Sequence, residues 1–281
     1  MDRISETVER HYGHGEVLER ILRTLQAMGK DMTRLVPSDL APVDEFHIRG
    51  REATIELANR AALRPGLRVL DVGSGLGGSA RFLASEYRCH VTGIDLTREY
   101  VNAARALADL VGLGGEVEFR QANALDLPFA DASFDVVWTE HAQMNIEDKR
   151  AFYGQGARVL KAGGELVFHD IFKGDGPPVE FPVPWAEEAS ISFLATPETA
   201  RDILEAVGFE ITHWEEKTRQ SLEWFSAAIE KIKVAGPPPL GIHLLMGPSA
   251  KLKLENMVRN LEERRIVVFL AVARKGRPPA A

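Results

Sequence analysis

The stretch Val69 to Ala84, VLDVGSGLGGSARFLA, places four glycines and one carboxylate where a short apolar run gives way to a helical pattern. Glycine there permits a tight turn and lets the backbone approach a ligand where a Cβ would stand in the way. Gly73, Gly75 and Gly78 fit the G-x-G-x-x-G spacing that seats the pyrophosphate of a dinucleotide on a helix N-terminus. Asp71 argues the other way, because a carboxylate beside that terminus opposes an anion and suits a cationic ligand. Asp95, at the end of HVTGIDL, can take the two hydroxyls of a ribose in either case and does not discriminate.

A second group of reactive side chains follows the apolar run FDVVW, in Trp138-Thr139-Glu140-His141-Ala142-Gln143-Met144-Asn145. His141 is the candidate general base or hydrogen-bond donor to a substrate, since an unperturbed imidazole titrates near neutral pH. Glu140 could instead contact the cationic part of the ligand. Near the N-terminus, RHYGHGEVLE carries Tyr12 and EFHIRGREAT carries His47 and Arg49. Arg49 or Arg51 could clamp a carboxylate bidentately. Tyr12, Trp185, Phe193 and Trp224 could wall an alkylammonium by cation–π contact, with packing as the competing role for each.

Other chemistries find no support. No H-E-x-x-H spacing occurs, and His11, His14 and His47 have no carboxylate at metal-ligand spacing, so no metal is expected. Ser74 lies in G-S-G rather than G-x-S-x-G, which removes a serine hydrolase. The single cysteine, Cys89, precedes an apolar run and reads as a small core residue; it excludes a disulfide framework and a thiolate cluster.

Composition bounds the rest. The 281 residues, 45% hydrophobic and 27% charged, suit one large α/β domain. A net charge of -7 supplies no basic surface, so nucleic acid is not expected as a partner. The N-terminus mixes Asp2, Arg3, Glu6, Glu9 and Arg10, unlike a secretion signal, and IVVFLAVA is far shorter than a membrane span. A cytoplasmic location with no membrane partner is expected, and oligomeric state stays open.

The elements that position these residues can be read from periodicity. LRVLDV, HVTGIDL, EVEFRQA, FDVVWTEHA and ELVFHDIF are strand candidates separated by helical stretches, the pattern of right-handed crossovers in a parallel sheet. Thr97 is expected to cap a helix that Gly112 stops, and Thr196-Pro197 to open another that runs to Gly208. FEITHWEEK and IVVFLAVARK complete a Rossmann-like α/β fold: seven strands, mostly parallel, with helices on both faces. The chain reads as a single domain, residues 1–281, whose core covers about 51–171, 197–218 and 264–276. The remainder, about 1–50, 172–196 and 219–263, reads as a discontinuous helical cap over the carboxyl ends of the strands, where such sheets bind ligands.

In order, VLDVGSGLGG, VTGIDLT, NALDLPFADASFDVVWTEHA and RVLKAGGELVFHDIF resemble the successive motifs of class I S-adenosylmethionine (SAM)-dependent methyltransferases, over roughly residues 65–172. That resemblance implies SAM as cofactor, with Asp71 by its methionine portion and Gly73, Gly75 and Gly77 forming the loop beneath. It also implies Asp95 on the ribose, Leu96 on the adenine face, and Ala124 offering its backbone N–H to the ring. Asn123 departs from the pattern, since many members have Asp there; its amide oxygen can accept the same bond without charge. SISFLATPETARDILEAVGFEITHWEEKT and LEWFSAAIEKI are similar to sarcosine/dimethylglycine N-methyltransferases. This second likeness implies a small-molecule acceptor, an amine nitrogen of a glycine-type substrate. O- or C-methylation of an aromatic or polyketide-like natural product is the alternative, followed by SAM binding without transfer and by a dehydrogenase.

Overall fold

The computed structural model describes residues 3–13 and 15–276. Four helices come first: α1 (Arg3–Tyr12), α2 (Val17–Ala27), α3 (Pro37–Asp44) and α4 (Gly50–Ala58). The alternating part runs β1 (Arg68–Val72), α5 (Gly78–Tyr87), β2 (His90–Asp95), α6 (Arg98–Leu110), β3 (Val117–Gln121) and β4 (Phe134–Glu140). It continues with α7 (Lys149–Val159), β5 (Leu160–Lys173), α8 (Pro197–Ala206) and β6 (Phe209–Glu216). The chain then forms α9 (Thr218–Ala235), α10 (Ala250–Glu262) and β7 (Ile266–Lys275).

The seven strands form one sheet in the order β3-β2-β1-β4-β5-β7-β6. Pairs among β1 to β5 are parallel, and β7 runs antiparallel between β5 and β6. The central strands β1 and β4 are buried along nearly their whole length, and that is why they read as unbroken apolar runs. Strand order reverses at β1, so the crevice beyond Val72 and Glu140 is the topological switch point where open sheets bind ligands.

Leu70, Val137, Phe168 and Phe172 pack under α7 and α8 on one face. Val69, Val91, Trp138 and Val167 pack under α5 and α6 on the other. Beyond the strand ends, Val8 of α1, Trp185, Phe225 of α9 and Met257 of α10 form a further cluster with Ile171 and Val268. The first helix and the two last ones thus share a core, although more than 200 residues separate them in the chain.

Two local expectations need correction. Thr97 does not cap α6 with its side chain; its backbone N–H is held by Asp95 Oδ1 at 2.8 Å, an attachment that fixes the turn after β2 instead. Strand β5 begins at Leu160 and passes through Gly163-Gly164 rather than starting after them, with a register shift opposite Phe134 and Val136. Thr196 does cap α8, accepting from Thr199 N at 3.2 Å, and α8 stops at Ala206, ahead of Gly208 with its φ of 96°.

Candidate active site

The glycine loop is pinned to the end of β2. Gly73 N and Ser74 N both donate to Ile94 O at 2.9 Å, and Gly75 N donates to Asp95 Oδ2 at 2.9 Å. Gly73 has φ of 77°, and a Cβ there would lie 2.6 Å from the Ala142 Cβ, so only glycine lets β1 and β4 end side by side. At Gly75, φ is 52° and a Cβ would meet nothing, because it would project into open space. Gly77 behaves differently: its Cβ would strike Phe119 at 2.4 Å, and it caps α5 away from the cavity. Gly77 therefore serves helix packing rather than ligand approach, a correction to the expected loop.

That loop opens onto a cavity of about 630 Å³ enclosed by the strand ends and the cap. Asp71, Gly73, Gly75, Asp95, Leu96, Asn123, Ala124, Glu140 and His141 all line it, as do Tyr12, His47 and Trp185 from the cap. Asp71 is buried, and its Oδ2 has no hydrogen-bond partner. Burial first, then the neighbouring Glu140 and Asp95 charges, push its carboxyl well above the usual carboxylate range. A buried carboxylate in this state calls for a cation. Asp95 uses each oxygen on one backbone N–H, leaving lone pairs for ligand hydroxyls. Asn123 Oδ1 accepts from Leu125 N at 2.9 Å, an Asx turn that leaves this oxygen a second lone pair.

Glu140 is already tied down. Its Oε2 accepts from Ser79 Oγ at 2.6 Å and from the Trp138 indole at 2.9 Å, and Thr54 stands at 3.3 Å. Tyr12 donates its hydroxyl to Asn145 Oδ1 at 2.8 Å; burial, aided by Asp95 and Asp170, keeps the phenol protonated far above its ordinary range. Trp185 is buried with its indole N–H on Ser192 Oγ at 2.9 Å.

The arginines are elsewhere. Arg49 precedes α4 and pairs with Glu56 at 2.7 Å, outside the cavity, and Arg51 pairs with Glu45 and stacks over Phe82 at 4.8 Å. Neither is available to clamp a substrate carboxylate, which overturns that expectation for Arg49. Among the described residues, no lysine or arginine lines the cavity at all. Phe193 and Trp224 also lie outside its wall, whereas Phe225 and Met257, neither of them among the expected substrate contacts, contribute to it.

The histidines depart furthest from the sequence reading. His141 adopts φ of 53°, a left-handed turn after β4 with its N–H on His169 O at 3.0 Å. Its imidazole is pushed well below the ordinary range by burial and by the His47 charge, so it is a neutral ring and a weak base near neutrality. Sequence spacing gives His47 no carboxylate partner, yet its Nε2 is 2.9 Å from Glu45 Oε2 and 3.6 Å from Glu140 Oε1. Burial opposes its protonation, but these two carboxylates outweigh burial and raise it to about 9. His169, in β5, is absent from the sequence-derived candidates, although a histidine inside the apolar run ELVFHDIF is a visible signal. His14 lies outside the described residues.

A family model described as "Methyltransferase domain" matches residues 70–168, the stretch that carries the loop, Asp95 and Glu140. An O-methyltransferase of Penicillium expansum is 35% identical over 192 residues, covering 66% of this chain and 69% of that protein. The chain belongs to the class I SAM-dependent methyltransferases. The sarcosine/dimethylglycine N-methyltransferase of Halorhodospira halochloris is 31% identical over 186 residues, 66% of each chain, so this methyltransferase spans just under two thirds of that relative's length. In fold, it is similar to phosphoethanolamine N-methyltransferase 2 of Haemonchus contortus, solved with SAM, with a TM-score of 0.77 at 19% identity. That likeness covers 99% of this methyltransferase and 61% of the Haemonchus chain. Among the described residues, no helix is long and apolar enough to cross a membrane.

The site fits the family's cofactor. An unpartnered buried carboxylate at Asp71, open space at Gly75 and spare lone pairs on Asp95 and Asn123 provide for a cation, a close backbone approach, a ribose and an adenine.

Proposed function

We propose that this methyltransferase methylates a small, largely apolar acceptor at an oxygen or an enolisable carbon. When bound, SAM supplies an electrophilic methyl group on a sulfonium. Asp71 then holds the cationic methionine portion, Asp95 the ribose, Leu96 the adenine face, and Asn123 with the Ala124 N–H the adenine edge. Glu140, fixed by Ser79 and Trp138, keeps the negative potential at the methionine end. The cap excludes water and aligns the acceptor, the main contribution a protein makes to an in-line displacement.

One observation carries the choice of acceptor: the acceptor end of the cavity is walled by Val8, Met144, Trp185, Phe225 and Met257, and among the described residues no lysine or arginine lines it. A zwitterionic glycine or a phosphate ester would bring an anion into that wall with no lysine or arginine among the described residues to meet it, and the His47 charge in the lining is already paired with Glu45 and Glu140. The glycine-type amine remains the second reading, supported by the similarity to the Halorhodospira enzyme.

The test is a methyl-transfer screen with labelled SAM. Phenols and β-dicarbonyl enols are set against sarcosine and dimethylglycine at equal concentration. Turnover of the phenolic or enolic set alone supports the proposal, turnover of the glycine derivatives alone sinks it, and tight SAM binding without turnover of either set points to a binding protein.

A further inference from the structure

His47 precedes α4, His141 follows β4, and His169 lies within β5, yet one ring nitrogen from each lies within 4.8 Å of one from each of the others. All three rings are buried or nearly so, and their centroids are 4.9 to 6.2 Å apart. Neither ring nitrogen of His141 has a hydrogen-bond partner, neither of His169 has one, and Nδ1 of His47 has none. Folded chains seldom leave so many buried polar atoms unpaired in one place, and each such cluster asks for something to satisfy it.

We propose that His47, His141 and His169 bind one divalent transition-metal ion of the zinc class at the floor of the acceptor cavity. Three imidazoles with a further open position form the donor set of catalytic zinc sites. Nitrogens around a zinc ion at about 2.0–2.1 Å are separated by roughly 3.3 Å, so the rings need to close by at most about 1.5 Å. An all-imidazole set favours zinc, copper, iron or nickel over magnesium or calcium.

The surroundings are those of a built ligand. His47 Nε2 is anchored on Glu45 at 2.9 Å, and Glu45 is itself held by Arg51 and Thr54. A carboxylate on one ring nitrogen fixes the orientation of the ring and leaves the other nitrogen for a metal. Glu140, 3.6 Å from His47, supplies negative charge nearby. His47 and His141 line the cavity and His169 stands behind them, so the open position faces the acceptor. That position would take an acceptor oxygen and make its proton easier to lose. This use of the ion rests on the acceptor reading above; binding of the ion does not.

The experiment uses the full chain without a histidine tag, stripped with EDTA and desalted. Co²⁺ is titrated by visible absorption, and bound Zn²⁺ is measured by elemental analysis after gel filtration. One equivalent per chain is expected. His141→Ala and His169→Gln should each weaken binding by more than about a hundredfold, and Glu45→Gln by about 10- to 100-fold, with unchanged far-UV circular dichroism. If His169→Gln fails to fold, His141→Ala, whose ring faces the cavity, decides the matter. Absence of stoichiometric Co²⁺ in the wild type, or equal binding by folded histidine variants, overturns the proposal. Neither readout involves an acceptor, so a wrong acceptor assignment leaves the result intact.

Discussion

The Tyr12 hydroxyl stands 2.8 Å from Asn145 Oδ1 and joins the first helix to the turn after β4. The Asn145 amide also donates to Trp185 O and Ile191 O, both at 2.8 Å, so one side chain holds three stretches of the cavity wall. Tyr12→Phe should cost about 0.5–1.5 kcal/mol and Asn145→Ala more, since it strands several buried partners. Hydrogen exchange checks this: α1 should lose protection in both variants, and unchanged exchange in Tyr12→Phe would mean that the bond does not hold the helix down.

Asp71→Asn should weaken SAM binding by tenfold or more while leaving the unliganded protein as stable or more so, because a buried carboxylate without a partner is removed. The pH dependence has a definite sign. Burial raises the folded-state pKa of Asp71, so above the ordinary carboxylate range the unfolded chain releases a proton that the folded chain keeps. Asp71 should therefore lower the stability of the unliganded protein as pH rises above the ordinary carboxylate range, and Asp71→Asn should flatten that part of the slope. Thermal melts across this range, with titration calorimetry of SAM, provide the test; an equally steep slope in the variant would refute the assignment.

Gly73→Ala and Gly75→Ala separate the two reasons for glycine. Both positions have positive φ, which costs an alanine about 1–2 kcal/mol. At Gly73 the new Cβ also meets Ala142 at 2.6 Å, so the melting temperature should fall much further than in Gly75→Ala. At Gly75 none of the described residues lies within 4 Å of the new Cβ, and the loss should show in SAM affinity instead. Equal melting temperatures in the two variants would be inconsistent with the contact.

Arg81 of α5 and Asp44 of α3 form an ion pair with both side chains fully buried. Arg81→Met alone should destabilise by about 3–5 kcal/mol, by stranding Asp44, and adding Asp44→Leu should recover much of the loss. Denaturant unfolding of both variants tests this, and an additive double variant would show that the two side chains act independently.

What could be read from the sequence follows from range. The strands are buried on both faces, so LRVLDV and FDVVW announce themselves as apolar runs, and Asp71, Gly73 and Asp95 sit at strand ends that the same runs locate. The cap was harder. Phe225 and Met257 carry the same helical stripe whether they pack on a neighbour or face a cavity. Arg49 is claimed by Glu56, a partner that only the turn into α4 reveals. The histidines converge from positions 47, 141 and 169, and no local spacing encodes that meeting.

The cavity wall has two origins along the chain. The residues assigned to the cofactor all come from 71–140, whereas most of the acceptor wall comes from residues 4–48, 184–185 and 225–257, joined by His141 and Met144. Exchange of those outer pieces between homologous chains would leave the nucleoside seat intact while presenting a new surface to the acceptor. The scaffold is therefore modular in the sense that matters to recombination: the selectivity of the catalyst can drift, or be bred, in those outer pieces while its donor chemistry is inherited unchanged.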